Sequence, residues 1–266
     1  MKISVIISAY NRAGYLERAV KGYFNQSVLP DEIVVADDGS TEETALLLKQ
    51  LAKNAPVPLL HVWHEDRGFR AAKIRNTAIA RSSGEQLIIC DDDIIPSPDL
   101  VADHATYAEE GCFVQGHRVL LGPDISRWFT FNDGAPLKLL RFFFKGEVKN
   151  LSNAFHLPRP LIRLSQDMGG IRSCNMSFSR KSFLAVNGFN EDFEGWGRED
   201  SELVVRFYKY GLKRKDIKFR ACCYHLYHGP YSRENLDRND TLIKETVGRN
   251  GYYCANGIDK YLMPLP

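Results

Sequence analysis

The sequence lacks the long apolar runs and the charge excess that mark several large classes of protein. Nowhere do about 18 apolar residues follow one another, so no membrane-spanning helix is predicted. No basic segment followed by an apolar one opens the chain, which excludes a recognisable secretory signal. The 35 lysines and arginines stand against 33 acidic residues, a balance too even for a dedicated nucleic-acid binder. We therefore expect a cytoplasmic protein that binds no nucleic acid.

Two cysteine and glycine patterns are also missing. The six cysteines contain no Cys-x-x-Cys pair, and several lie in apolar runs such as 87–90, which favours reduced, buried thiols over a disulfide framework or a zinc site. No Gly-x-Gly-x-x-Gly follows the first apolar run, which argues against a nicotinamide-dependent oxidoreductase. No glycine-rich basic phosphate loop stands there either, which argues against a sugar nucleotidyltransferase.

What the sequence does contain is a regular alternation of segments in its first hundred residues. Strand-like, β-branched runs occur at 3–8, 33–36, 59–63 and 87–90, and residues at helical spacing lie between them. Ser40 with Glu43 matches a capping box, which predicts that a helix begins there. The order β-α-β-α-β-α-β predicts an α/β fold with a mostly parallel, Rossmann-like sheet and helices on both faces.

Polar and ionisable residues collect where these four predicted strands end. The four strand ends are Ala9-Tyr10-Asn11, Asp37-Asp38-Gly39, His64-Glu65-Asp66-Arg67 and Asp91-Asp92-Asp93. The carboxyl ends of parallel strands meet at one edge of a sheet, and ligands bind in the crevice beyond them. The sequence therefore predicts a functional crevice at this edge.

Two of these acids and a pair of histidines suggest a metal site. Asp91 and Asp93 are two residues apart after a strand, so they would project to the same side, where a divalent cation relieves their repulsion. His225 and His228 would share one face of a turn or helical segment, and two imidazoles with a carboxylate suit Mn²⁺ better than Mg²⁺. The alternatives are a solvated acidic turn and a structural histidine pair.

The segment 195–200, Gly-Trp-Gly-Arg-Glu-Asp, is the most unusual in the chain. Glycines beside Trp196 would let the backbone approach a ligand, while the indole offers a flat face for stacking on a sugar ring. Glu199 and Asp200 would open a helix, where the macrodipole favours carboxylates and an ionised base could be held ready. The alternative is a capped helix start beside a core tryptophan.

Taken together, the motifs resemble those of a known enzyme family. Segments 4–12, 34–40, 71–76 and 91–93 closely resemble the successive motifs of family 2 glycosyltransferases of the GT-A fold. Segments 195–200 and 225–228 are similar to the acceptor half of animal galactosyltransferases and bacterial chondroitin-type polymerases. The resemblance covers about residues 2 to 230, and it implies a metal-dependent, inverting transfer of a sugar from a nucleotide-sugar to a glycan hydroxyl.

The resemblance also implies roles for individual residues. It gives nucleotide binding to Ser8, Tyr10, Asp38, Arg75 and Asp91; metal binding to Asp93, His228 and His225; acceptor binding to Trp196 and Glu199; and the general base to Asp200. The implied cofactor is Mn²⁺ or Mg²⁺. Relatives more often have an apolar residue or glycine at the position of Asp92, which leaves open whether Asp91 or Asp92 assists Asp93.

The resemblance divides the chain and suggests its substrates. A single GT-A domain, 1–266, would comprise a nucleotide-sugar-binding half, 1–100, an acceptor-binding half, 101–230, and a C-terminal tail, 231–266. The donor would be a UDP-sugar, because Asp38 resembles the uracil-reading carboxylate of the family. The acceptor would be a glycan or lipid-linked glycan, in bacterial surface polysaccharide synthesis. Two alternatives stay: a sugar nucleotidyltransferase, which uses similar chemistry, and, from another class, a catalytically silent carbohydrate-binding module.

The segment 138–163 combines six Lys/Arg residues and one acid, Glu147, with many aromatic and aliphatic residues. Basic and apolar residues together favour contact with an anionic membrane surface. They are equally typical of a core helix whose lysines extend to solvent. The sequence leaves open peripheral membrane contact at the inner face, a core helix and a lid over the acceptor site.

Overall fold

The computed structural model describes residues 1–262. Its strands are β1 (Ile3–Ala9), β2 (Glu32–Asp37), β3 (Leu59–Trp63), β4 (Gln86–Asp91), β5 (Ile94–Pro96), β6 (Cys112–Gln115), β7 (His117–Leu121), β8 (Val148–Lys149), β9 (Leu161–Ser165), β10 (Asn175–Ser179), β11 (Lys213–Lys218) and β12 (Cys222–His225). Its α-helices are α1 (Ala13–Phe24), α2 (Glu42–Ala52), α3 (Ala71–Arg81), α4 (Leu100–Tyr107), α5 (Pro123–Ser126), α6 (Pro136–Phe144), α7 (Arg180–Ala185), α8 (Glu199–Tyr210) and α9 (Leu236–Gly248).

A large mixed sheet organises the molecule. Its order is β3-β2-β1-β4-β10-β6-β11-β9, with β1 to β4 mutually parallel and β10 antiparallel to both of its neighbours. One apolar cluster, including Ile6 and Ile89, packs on one face of the sheet, and another, including Val5 and Ile88, packs on the other. Since both faces are covered, the central strands are continuous apolar runs. The predicted α/β architecture is confirmed.

The structure also contains a second, smaller sheet that the sequence analysis did not predict. It has the order β5-β12-β7-β8, and β12 is parallel to β7 but antiparallel to β5. In this register His225 lies opposite Ile94, and the Leu226 N–H donates to the Asp93 carbonyl at 2.9 Å. The small sheet therefore carries the end of β12 to the residues that follow β4.

Several local predictions differ from the structure. The prediction of a capping box at Ser40 and Glu43 is wrong. Thr41 is the residue before α2, and no side chain caps the helix. The Ser40 hydroxyl instead accepts the Asn11 backbone N–H at 2.9 Å. The segment 138–163, for which a core helix, a lid and a membrane contact were left open, begins within α6. The tail contains α9, which packs on α8.

Two expectations from composition concern thiols and membrane spans. All six cysteines are free thiols, and every one except Cys112 is buried. Burial raises the pKa of the Cys90 thiol far above its usual range, so it stays protonated and unreactive. Within residues 1–262, no helix has both the length and the apolar character required to cross a bilayer.

Candidate functional site

The predicted site residues all line one cleft of about 610 Å³ at the carboxyl ends of the central strands. They are Ser8, Tyr10, Asp38, Arg75, Asp91, Asp93, Trp196, Glu199, Asp200, His225 and His228. The ends of β1, β2 and β4 form one wall, and the start of α8 with the loop after β12 forms the facing wall. Topology explains this convergence, because parallel strands place the polar residues that follow them at the same edge.

Asp93, His225 and His228 form a compact cluster in this cleft. One potential ligand atom from each residue lies within 4.8 Å of the others. The Nε2 atom of His228 is 3.3 Å from Asp93 Oδ2, and that of His225 is 3.7 Å from Asp93 Oδ1. The histidines are brought together by the end of a strand and the loop that follows it, not by a helical turn.

The chemistry of this cluster fits a divalent cation. Asp93 is almost completely buried, and its Oδ1 atom has no hydrogen-bond partner within the described residues. Burial and the charge of Asp91 raise the pKa of Asp93 to about 7, while burial lowers the pKa of His225 to about 3. The cluster therefore offers two neutral imidazoles and a buried carboxylate that lacks a partner for one oxygen. This set of donor atoms suits Mn²⁺.

The other two aspartates of the triplet face different partners. Asp91 Oδ1 accepts from Arg75 Nη2 at 3.0 Å, and Asp92 Oδ2 accepts from the Tyr10 backbone N–H at 3.2 Å. Burial and the charge of Asp93 raise the pKa of Asp92 well above its usual range. Within the described residues, neither Asp91 nor Asp92 belongs to the cluster of Asp93 with the histidines.

Arg12 is a site residue that the sequence analysis did not single out. Its Nη1 atom donates to Asp93 Oδ2 at 3.0 Å, and its guanidinium lies 5.1 Å from the centre of the Tyr231 ring. The Tyr231 ring in turn lies 4.9 Å from the ring of His228. The position of Arg12 just after β1 could have identified it, but its contact with Asp93 depends on tertiary structure.

The predicted nucleotide side of the cleft is built on Asp38. Its Oδ1 atom lies 2.6 Å from His64 Nε2, and its Oδ2 atom accepts the Arg70 backbone N–H at 2.7 Å. Gly39, with φ of +96°, lies so close to Asp66 that a Cβ there would be 2.5 Å from the Asp66 Cα. Glycine is therefore required at this position for the ends of the two strands to meet.

Arg75 connects this side to the facing wall. Its Nε donates to Ser8 Oγ at 2.8 Å, and its Nη1 donates to Glu199 Oε1 at 3.0 Å. Burial alone would lower the pKa of Arg75, but the charges of Asp91 and Glu199 outweigh burial and raise it. The guanidinium is thus permanently charged, and Glu199 points toward it.

The facing wall presents Asp200 and Trp196. Positive φ angles at Gly195 and Gly197 turn the chain into α8, where the Asp200 carboxylate accepts the Ser173 N–H at 3.2 Å. The Trp196 indole is 36% exposed and nearly parallel to the ring of Tyr231, at an angle of 18°. The cleft therefore offers an ionisable carboxylate beside a flat aromatic surface, as a proton-accepting sugar site requires.

Comparison with known proteins assigns the family. The model of "Glycosyl transferase family 2" matches residues 4–172, and that of "N-terminal domain of galactosyltransferase" matches residues 153–229. The chain belongs to glycosyl transferase family 2. The predicted family is confirmed, and this chain is a glycosyltransferase domain. The roles that the resemblance implied for single residues stay predictions.

Individual relatives support the same family. The chain is 30% identical over 229 residues to validoxylamine A glucosyltransferase of Streptomyces hygroscopicus subsp. limoneus, covering 79% of this chain and 48% of the relative. It is 26% identical over 253 residues to chondroitin synthase of Escherichia coli, covering 88% of this chain and 35% of the relative. The chain thus spans half or less of the length of these two relatives.

Solved structures support the GT-A fold. S. aureus TarS (residues 1–349), solved in complex with UDP, matches 98% of this chain and 70% of its own with a TM-score of 0.65 at 17% identity. The mannosyltransferase PcManGT of Pyrobaculum calidifontis, in complex with GDP-Man and Mn²⁺, matches 93% of this chain and 72% of its own with a TM-score of 0.55 at 17% identity.

The cluster geometry predicts a measurable loss of metal affinity. Asp93→Ala and His228→Ala should each weaken Mn²⁺ binding by at least about tenfold, because each removes one ligand. Affinity should also fall below pH 7, since a metal binds the ionised carboxylate and the pKa of Asp93 is about 7. Titration calorimetry measures both effects. His156→Ala, outside the cleft, is the control, and wild-type affinity in Asp93→Ala would contradict the site.

Proposed function

We propose that the protein is a metal-dependent, inverting glycosyltransferase that moves a sugar from a nucleotide-sugar to a hydroxyl of a glycan acceptor. The observation that carries this proposal is that one cleft contains both Asp200 and the cluster of Asp93, His225 and His228. A transferase needs a cation beside the leaving diphosphate and a base beside the attacking hydroxyl. This cleft supplies a candidate for each.

Asp93, His225 and His228 would hold the divalent ion, preferably Mn²⁺. When bound, such an ion neutralises the negative charge that grows on a departing diphosphate. Asp200 accepts the proton of the acceptor hydroxyl, whose oxygen bonds to the anomeric carbon as the bond to the diphosphate breaks. Attack from the face opposite the leaving group inverts the configuration, so an α-linked donor yields a β-glycoside.

The preferred donor is a UDP-sugar. Asp38 is fixed by His64 and by a backbone N–H, so its carboxylate is held at the end of β2, where a base can donate to it. Ser8 and Tyr10 follow β1 on the same side of the cleft. The TarS structure that resembles this chain holds UDP, which supports the choice, whereas PcManGT holds GDP-Man and makes a guanine donor the competing outcome.

The acceptor we propose is a glycan or lipid-linked glycan of a bacterial surface polysaccharide. The exposed indole of Trp196 beside Asp200 is suited to stacking on a sugar. A chondroitin synthase among the relatives supports a growing glycan as acceptor. A catalytically silent carbohydrate-binding module would need only the aromatic surface. That alternative gives no reason for the buried Asp93 oxygen that lacks a hydrogen-bond partner among the described residues.

We also propose that the protein works in the cytoplasm against the inner face of a membrane, through α6. In this helix Leu139 is buried, while Leu137 and Phe144 are 82% and 78% exposed. Lys138 and Arg141 are exposed on the same helix, and no carboxylate of the described residues forms an ion pair with either. Exposed apolar side chains flanked by cations suit an anionic lipid surface and not a core helix.

A panel of nucleotide-sugars tests the proposed reaction. With Mn²⁺ present, UDP-sugars should be hydrolysed or bound more tightly than GDP- or dTDP-sugars, because we propose Asp38 as the carboxylate that binds uracil. EDTA should abolish hydrolysis, since the diphosphate is held through the ion. Hydrolysis is measured as nucleotide release. Tighter binding of a GDP-sugar would overturn the donor assignment, and full activity in EDTA would overturn the metal dependence.

The proposed base is tested by Asp200→Asn. This change keeps the shape of the side chain but removes its ability to accept a proton, so transfer should fall by about 10²-fold or more. The Kd for UDP with Mn²⁺ should stay within about twofold of the wild type. Asp237→Asn, on the exposed side of α9, is the matched control. Transfer within a few-fold of the wild type would make Glu199 the next candidate.

Vesicle co-sedimentation tests the membrane surface. The protein should bind vesicles rich in phosphatidylglycerol at low salt and be released at high salt, because each basic residue near the lipid contributes about 1 kcal/mol. Changing Lys138, Arg141 and Lys145 to Glu should abolish binding. The same changes at Lys49, Lys53 and Arg81 provide a charge-matched control. Absence of binding at low salt would contradict the proposal, and self-association through α6 would favour a second copy instead.

A further inference from the structure

Some of the arginines that line the cleft have an anionic or aromatic partner, and others have neither. Six carboxylates and six arginines face it. Arg12 and Arg75 bind carboxylates of the cleft, Arg198 binds Asp240, and Arg233 lies over the ring of Trp196 at 5.6 Å. Within residues 1–262, Arg118 and Arg172 have neither an ion pair nor an aromatic ring against the guanidinium.

Each carboxylate of the cleft already contacts a side chain or a backbone N–H group of the protein. Asp38 binds His64, Asp91 and Glu199 bind Arg75, and Asp200 accepts backbone N–H groups of Ser173 and Ser201. The two remaining acids, Asp92 and Asp93, contact Arg12. A guanidinium that lines a cleft and lacks an anion is suited to binding one from a ligand.

Arg118 and Arg172 line the part of the cleft that also contains Ser173 and Cys174. Arg118, half-buried on β7, has its Nη1 atom 3.7 Å from the Sγ of Cys174. The Gln115 side chain fixes the backbone of Arg172, accepting its N–H at 3.3 Å and donating to its carbonyl at 3.0 Å. Ser173, between Arg172 and Cys174, donates its N–H to Asp200. The Arg172 side chain itself is exposed, and its Nη1 atom donates to the Ile171 carbonyl at 3.1 Å. Arg118 lies close enough to Asp93 and His225 of the proposed metal cluster for its charge to act on both.

We propose that Arg118 and Arg172 bind an anionic group, a carboxylate or a phosphate ester, on one of the two sugars of the reaction. This inference rests on the proposed function and deepens it, because it assigns an acidic sugar to a site otherwise described only as glycan-binding. Guanidinium groups bind carboxylates and phosphates through paired, charge-assisted hydrogen bonds. A neutral sugar hydroxyl would leave both charges unmatched.

The test uses sugars that differ in one group. Methyl β-D-glucuronide and methyl β-D-glucoside 6-phosphate are compared with methyl β-D-glucoside by calorimetry, with UDP and Mn²⁺ saturating. UDP-glucuronate and UDP-glucose form the donor arm. An anionic probe should bind about tenfold more tightly than its neutral counterpart in one arm. A preference among the methyl glycosides would place the charge on the acceptor, and a preference for UDP-glucuronate would place it on the donor. Comparing the glucuronide with the 6-phosphate shows whether the bound anion is a carboxylate or a phosphate.

The variants separate this inference from the proposed function. Arg118→Gln and Arg172→Gln should each abolish the preference for the anionic probe, while the Kd for UDP with Mn²⁺ stays within about twofold of the wild type. Arg67 is exposed and lies outside the cleft, so Arg67→Gln should change neither the preference nor this Kd. UDP binding without any anionic preference would overturn this inference alone. A tenfold loss of UDP affinity in Arg118→Gln would also overturn it, making that residue a diphosphate ligand. If UDP and Mn²⁺ do not bind the wild type, both proposals fail.

Discussion

The cleft depends on one buried cation, the guanidinium of Arg75. It donates to Ser8 at the end of β1, to Asp91 at the end of β4 and to Glu199 at the start of α8. Removing one partner from a buried charge network costs about 3 to 5 kcal/mol, because the remaining charges stay buried and uncompensated. Arg75 therefore joins the ends of β1 and β4 to the start of α8, which carries the proposed base.

The two buried aspartates that follow β4 impose a second constraint, because their charges need compensation. Asp92 and Asp93 are both buried, so without cations nearby each would favour its protonated form. Arg12 supplies part of the compensation through one oxygen of Asp93, and the other oxygen is left without a hydrogen bond. This incomplete compensation is costly in a folded protein unless something else completes it, which is why the cluster is better explained by cation binding than by packing.

The sequence predicted the central strands and the cleft because both depend on patterns that are local. Strands covered on both faces must be apolar throughout, and polar residues after such strands must meet at one edge. The second sheet could not be predicted this way, since β5 has three residues and β8 has two, and only their partners stabilise them. The contacts of Arg12 and the exposure of Leu137 likewise depend on tertiary packing. Neither has a signature in the neighbouring residues.

The metal cluster itself is assembled from both sheets. Asp93 follows β4 of the large sheet, whereas His225 ends β12 of the small one, and the backbone bond from Leu226 to Asp93 joins the two. The first hundred residues contain the crevice at the strand ends but only one of the three clustered residues, Asp93. The end of β12 and the loop that follows it supply the remaining two, so the proposed role of the small sheet is to complete a cation site that the large sheet begins. The fold thereby links the geometry of the proposed metal site to the correct packing of the half that we expect to hold the acceptor.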